Sequence, residues 1–241
     1  MSGKLIVFEG VEGSGKTSQI KRSRDWLQAS GIQADLGVGA AKMPLVLTRE
    51  PGGTSLGLGL RKLLLEEGEK PEGTTSTLSQ SPVSAIQDRA ELLLYAADRA
   101  QHVEEFLKPQ LTLGAIILCD RYTDSTIAYQ GYGRGLDLAL IQQLNEIATG
   151  GLESDLTLWL DVDVETGLKR ARQRGRADRI EQADLAFHQR VQQGFTQLAE
   201  LYPQRIVRID VSKSEEEVHG AIQNILRERL RIWFPQLSQP L

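Results

Sequence analysis

Five short apolar runs punctuate the chain: "LIVF" (Leu5 to Phe8), "LVLT" (Leu45 to Thr48), "AIILC" (Ala115 to Cys119), "LTLWL" (Leu156 to Leu160) and "RIVRI" (Arg205 to Ile209). They are largely continuous rather than alternating, the pattern of strands covered on both faces. Between them, apolar residues at three- and four-residue spacing predict helices over residues 17–30, 56–67, 84–108, 136–149, 164–174 and 184–201, with a last one over 215–231. Strands alternating with helices imply an α/β fold, with a five-stranded parallel sheet between two helical layers. Ligands of such sheets sit at the carboxyl ends of the strands. The polar clusters fall there: "GVEGSGKTS" after the first run, "TREPGGT" at the second and "DRYTDST" after the third.

One stretch breaks the pattern. Residues 66–84, "EEGEKPEGTTSTLSQSPVS", are rich in Gly, Pro, Ser and Thr with almost no apolar periodicity, and read as a flexible surface insertion within a single domain spanning 1–241. The tail "RIWFPQLSQPL" offers Trp233 and Phe234 for docking, on the body or on a partner. There is no internal repeat.

Composition narrows the function classes. An apolar fraction of 40% over 241 residues supports a sizeable core. No segment approaches a membrane span, and "MSGKL" lacks the features of a signal peptide, so a cytoplasmic protein is expected. A formal charge of −4 argues against nonspecific nucleic-acid binding. The single cysteine, Cys119, excludes a disulfide framework and reads as a buried strand residue.

The first polar cluster carries the chemistry. Gly10, Gly15, Lys16 and Thr17 fit G-x-x-x-x-G-K-[ST], in the order strand, loop, helix. Backbone N–H groups of such a loop ring a phosphate, the lysine reaches the outer phosphates, and the helix N-terminus adds partial positive charge. The loop residues Gly10, Val11, Glu12, Gly13, Ser14, Gly15, Lys16, Thr17 and Ser18 are therefore the expected ATP site, with Mg2+ on the Thr17 hydroxyl. The guanine signature N-K-x-D of GTP switches is absent. Basic residues gather at strand ends instead: Arg49, Arg121, Arg134 and a dense run from Lys169 to Arg179. A nucleoside triphosphate and a monophosphate bring about six negative charges, which Mg2+, Lys16 and several arginines would offset.

"FEGVEGSGKT", "TREPGGT", "LLLYAADRAQ", "DRYTDSTIAYQGYGRG" and "LWLDV…GLKRARQRGRADRIE" together resemble the thymidylate kinase family, in the family's order, over residues 4 to 200. The resemblance implies a nucleoside monophosphate kinase of the P-loop NTPase fold with a mobile lid near 172–184. It also implies Mg2+ dependence, a homodimer and phosphoryl transfer from ATP to dTMP. Rival readings are a kinase for another monophosphate or a deoxynucleoside, and a non-catalytic ATP-binding regulator.

The resemblance also assigns roles. Arg49 grips the acceptor phosphate, Asp120 orients the metal through water, and Arg121 holds phosphate. Glu12 accepts the 3′-hydroxyl of the deoxyribose, while Glu9 is left without a definite role. Tyr95 and Arg99, four apart on one helix, share a face, with Tyr95 stacking on thymine where the family usually has Phe and Arg99 donating to the base. Ser125, Thr126, Tyr129 and Gln130 line base and sugar, with Tyr129 crowding a 2′-hydroxyl. Because the phosphate loop carries Ser14 and no arginine, the lid is expected to supply a catalytic one, Arg179, with Arg174 and Arg176 as neighbours.

Overall fold

A computed structural model describes residues 3–31, 43–65, 86–173 and 178–235. The insertion 66–84 and the lid arginines Arg174 and Arg176 lie outside the described residues. Five parallel strands, β1 (Lys4–Glu9), β2 (Leu45–Arg49), β3 (Ile116–Asp120), β4 (Leu156–Asp161) and β5 (Ile206–Asp210), form one sheet in the order β2-β3-β1-β4-β5. Alternation along β1 divides the core. Leu5 and Val7 pack with Ile117, Cys119 and Tyr122 on one face, and Ile6 and Phe8 with Leu118, Leu158 and Leu160 on the other. All four β1 side chains are fully buried, as a central strand covered on both faces requires. Register places Phe8 and Arg49 each opposite Asp120, so the carboxyl ends of three strands open on one place.

The helices are α1 (Lys16–Ala29), α2 (Ser55–Leu65), α3 (Asp88–His102), α4 (Lys108–Thr112), α5 (Thr123–Thr126), α6 (Leu138–Thr149), α7 (Val164–Arg172), α8 (Leu185–Leu201) and α9 (Glu215–Trp233). Helix α3 continues into α4 through a π-helical turn, Val103–Leu107, so the single long helix of the sequence pattern is wound as α, then π, then α again. Helices α6 to α9 start on side-chain caps, Asp137, Asp163, Asp184 and Ser214, the last in a capping box with Glu217. In contrast, α1 starts on Gly15 in the left-handed region, with no side-chain cap and no acid in its first turn, leaving its N–H groups for an anion.

One feature of the fold was absent from the hydrophobic pattern. The polar stretch after β3 is helical, α5 running into a π-helical segment Ile127–Gly133 that packs against α8. Of the two docking places open to Trp233 and Phe234, both residues take the body: Phe234 is buried in the main core, while Lys4 Nζ lies 5.4 Å from the centroid of the Trp233 ring. Cys119 is buried in β3 as expected, and burial pushes its thiol well above the ordinary range.

Candidate active site

The carboxyl ends of β1, β2 and β3 frame a cavity of about 300 Å³. Its floor is the phosphate loop, where Gly13 packs so closely on Gly167 of α7 that a Cβ there would stand 2.0 Å from a backbone oxygen. Lys16 is buried, and its Nζ donates to the carbonyls of Gly10 (2.9 Å) and Val11 (3.1 Å). Burial and then the charge of Arg121 lower its pKa to about 8, an ammonium short of counter-charge and ready for phosphate.

Thr17 Oγ1 lies 3.4 Å from Asp120 Oδ2, and Asp120 Oδ1 is buried with no hydrogen-bond partner among the described residues. A hydroxyl beside a carboxylate with an orphan acceptor is the hard-oxygen donor set that Mg2+ takes, so these two residues fit a magnesium ion. Opposite, Arg49 is exposed at the end of β2, lines the cavity and has no hydrogen-bond or ion-pair partner among the described residues. Arg61 of α2, absent from the sequence-based candidates, lines the cavity as well. Its Nη1 donates to Pro51 O at 2.9 Å, and burial followed by the charge of Arg49 lowers its pKa.

Arg121 holds the middle. It is a non-glycine residue at φ 71°, a backbone conformation kept only where surroundings enforce it. Two partners do so: Nη2 donates to Glu12 Oε1 at 2.9 Å, and Nη1 to Ser125 Oγ at 3.1 Å. The guanidinium also sits 4.8 Å from the Tyr129 ring centroid. Glu9 lies beneath, fully buried, and accepts from Tyr122 N (2.8 Å), Ser125 N (3.1 Å) and Ser125 Oγ (2.6 Å). Burial, opposed by Arg121, raises its pKa to about 7. Glu9 anchors the turn that carries Arg121 and Ser125, and it is absent from the cavity lining.

Glu12 also lines the cavity, with Oε1 accepting from Tyr129 OH at 2.7 Å as well as from Arg121. Burial alone would raise its pKa; the His188 ring, Arg121, Lys16 and Tyr129 reverse that and hold it at about 2. Tyr95, Thr126 and Gln130 line the wall beyond. Burial pushes the Tyr95 hydroxyl above its ordinary range.

Two expected roles are altered by this geometry. Arg99 is buried, and its guanidinium is largely spent on the protein: Nε donates to Glu50 Oε2 (2.8 Å), Nη1 to Thr126 Oγ1 and Asn145 Oδ1 (both 2.8 Å), and Nη2 to Tyr122 O (3.0 Å). A single Nη2 N–H is left for the cavity. Thr126 is likewise committed to Arg99. Glu50, missed in the sequence, takes His102 Nδ1 on its other oxygen at 2.9 Å, and His102 Nε2 meets Thr48 Oγ1 at 2.7 Å. This network fixes the turn that follows Arg49.

Arg179 is the second case. Its Nε donates to Leu64 O at 2.9 Å, and its Nη2 pairs with the buried Glu91, which also holds Gln130 and Arg134. In this conformation Arg179 ties the segment after α7 to α2 and α3 and does not face the cavity. Asp178, Ile180 and Glu181 beside it do, and among the described residues of the basic run Arg170 is the arginine in the lining.

The thymidylate kinase family model matches residues 8–222 of this chain. A thymidylate kinase of Cyanothece sp. is 58% identical over 245 residues, covering 99% of both chains, and one of Nostoc punctiforme is 59% identical over 232 residues, covering 96% of this chain and 99% of that one. The crystal structure of thymidylate kinase from Ehrlichia chaffeensis is similar with a TM-score of 0.69 and 32% identity, covering 94% of this chain and all of that one. On motif, fold and full-length similarity alike, this chain belongs to the thymidylate kinase family.

Proposed function

We propose that this chain transfers the γ-phosphoryl group of ATP to dTMP, giving dTDP and ADP, with the two nucleotides bound end to end in the cavity described above. The observation that carries the reading is Arg49, which has no partner among the described residues, faces the same cavity as Lys16 and is in register with Asp120. The ATP phosphates lie in the loop Gly10 to Ser18, on the uncapped end of α1. Arg49 grips the acceptor phosphate, Arg61 adds a second guanidinium beside it, and Arg121 holds phosphate from the opposite wall. Thr17 and Asp120 hold Mg2+, which supplies charge neutralisation for the donor phosphates.

The acceptor phosphate has a second pKa of about 6, so at neutral pH it is already an anionic nucleophile and needs no general base. Catalysis then reduces to alignment, shielding of like charges and exclusion of water. Tyr95 stacks on the base, the remaining N–H of Arg99 reaches a base oxygen, and Ser125, Gln130 and Tyr129 border the sugar and base. Arg179 acts in the lid; its pairing with Glu91 supports a holding role there, and Arg170 is the better-aimed arginine for donor phosphate. The active form is a homodimer, a reading supported by Leu56, Leu58 and Leu63 of α2 and Leu93 of α3, each more than half exposed on adjacent helices.

A panel of nucleoside monophosphates incubated with Mg-ATP tests the reading. dTDP is expected as the dominant product, and ADP formation that is no faster with dTMP than with AMP, GMP or UMP would refute it. In the same panel Tyr129→Phe, which loses the hydroxyl held by Glu12, should narrow the preference for dTMP over UMP. An unchanged ratio would remove Tyr129 from sugar selection.

A further inference from the structure

Arg49 is exposed, and no hydrogen bond or ion pair among the described residues holds its side chain. Where its guanidinium points is therefore set by its backbone. That backbone is extended: Arg49 pairs with Asp120 in register, and Glu50 N donates to Asp120 O at 2.9 Å, so the ladder to β3 runs on into Glu50. Successive side chains of an extended chain take opposite faces. Leu45 and Leu47 pack into the core on one side of the sheet, and Val46 into the core on the other. Arg49 continues the side of Leu47, while Thr48 and Glu50 continue the side of Val46.

On that second side one imidazole holds both neighbours of Arg49. His102, the last residue of α3, is fully buried. Its Nδ1 donates to Glu50 Oε1 at 2.9 Å, since a carboxylate only accepts, and its Nε2 meets Thr48 Oγ1 at 2.7 Å. The ring is itself fixed. Phe106 stacks on it with centroids 5.7 Å apart, and the turn after Arg49 lies so close that a Cβ on Gly53 would stand 2.5 Å from its Cδ2. An immobile ring thus bridges residues i and i+2 of a strand, and the residue between them is left only the opposite face.

We infer that His102 is a positioning residue for phosphoryl transfer, which by clasping Thr48 and Glu50 turns Arg49 toward the cavity. The inference rests on the proposed role of Arg49 at the acceptor phosphate. Without the ring, Glu50 keeps Arg99 on its other oxygen but the tie between Glu50 and Thr48 is gone. The end of β2 can then twist, and Arg49 spends less of its time aimed at phosphate. The loss falls on turnover, and ATP binding at the phosphate loop is spared.

A double-mutant cycle with Arg49→Ala, run in steady-state kinetics on the full-length protein, tests this. His102→Leu should lower kcat for dTMP by about tenfold, with the KM for ATP within about twofold of wild type. Thr48→Val, which removes one hydroxyl and keeps a β-branched shape, should lower kcat about threefold, while Thr48→Ser keeps the hydroxyl and should stay within about twofold of wild type. Because His102 acts through Arg49, the losses should vanish once Arg49 is gone: the double variant His102→Leu with Arg49→Ala should turn over within about twofold of Arg49→Ala alone. A merely structural role would slow both backgrounds alike. An Arg49→Ala enzyme as fast as wild type would overturn the role of Arg49 and this inference with it. If Arg49→Ala is slow, a His102→Leu enzyme as fast as wild type, or a His102→Leu loss undiminished in the Arg49→Ala background, would overturn the inference alone. Should the Leu variant fail to fold, the Thr48 pair decides: Val as fast as Ser, or slower by the same factor with and without Arg49, contradicts it.

Discussion

Arg49→Ala should lower kcat for dTMP by about 10²–10³-fold, the usual consequence of removing one preorganised charge from a transferring group. The fold should hardly notice. Arg49 is exposed at a strand end and has no partner among the described residues, so unfolding free energy should stay within about 0.5 kcal/mol of wild type. Arg49→Lys should recover only part of the rate, because an ammonium keeps the charge but not the planar two-pronged fit to phosphate. Steady-state kinetics and urea unfolding on the same preparations separate the two effects. A large stability loss, or turnover near wild type, would mean that Arg49 is an ordinary surface residue.

Arg99→Met should have the opposite profile, a loss of about 3–5 kcal/mol in stability. The substitution keeps volume but strands the buried carboxylate of Glu50 beside His102 and orphans Thr126, Asn145 and the Tyr122 carbonyl. Those five groups come from the β2 end, α3, α5, the turn after β3 and α6. In thermal unfolding the shift should be on the order of 10 °C downward. Adding Glu50→Gln should recover part of it, since the unpaired buried charge is the largest component of the loss. A variant as stable as wild type would show that Arg99 is held for the ligand and not for the fold.

These two arginines also show where sequence reading stops. Both belong to motifs that were legible as a kinase site, and the elements that place them were legible too: Arg49 ends the apolar run of β2, and Arg99 lies on the helix expected over 84–108. What a motif does not encode is whether a guanidinium has donors to spare. That depends on Glu50, Asn145 and Tyr122, which are distant in sequence and meet only in the folded chain. Arg179 is a similar case, since its partner Glu91 lies 88 residues away. The helix after β3 escaped for another reason: "DSTIAYQGYG" has glycines and π winding, so its buried side chains do not recur at 3.6-residue spacing.

Arg61 was hidden because α2 is apolar around most of its circumference, and periodicity gives no sign of which face meets the cavity. His102 was hidden by its surroundings. It shares the buried face of α3 with Leu92, Ala96 and Arg99, where a histidine reads as core. Only its contacts with Thr48 and Glu50 distinguish it.

The central claim is that one cavity seats both nucleotides with their phosphates end to end, and the most direct measurement is calorimetric binding of adenosine and thymidine joined through five phosphates. If the claim holds, this molecule binds with Mg2+ at least about 10²-fold more tightly than ATP or dTMP alone, because one linker presents both halves together. Affinity no better than that of ATP would contradict it.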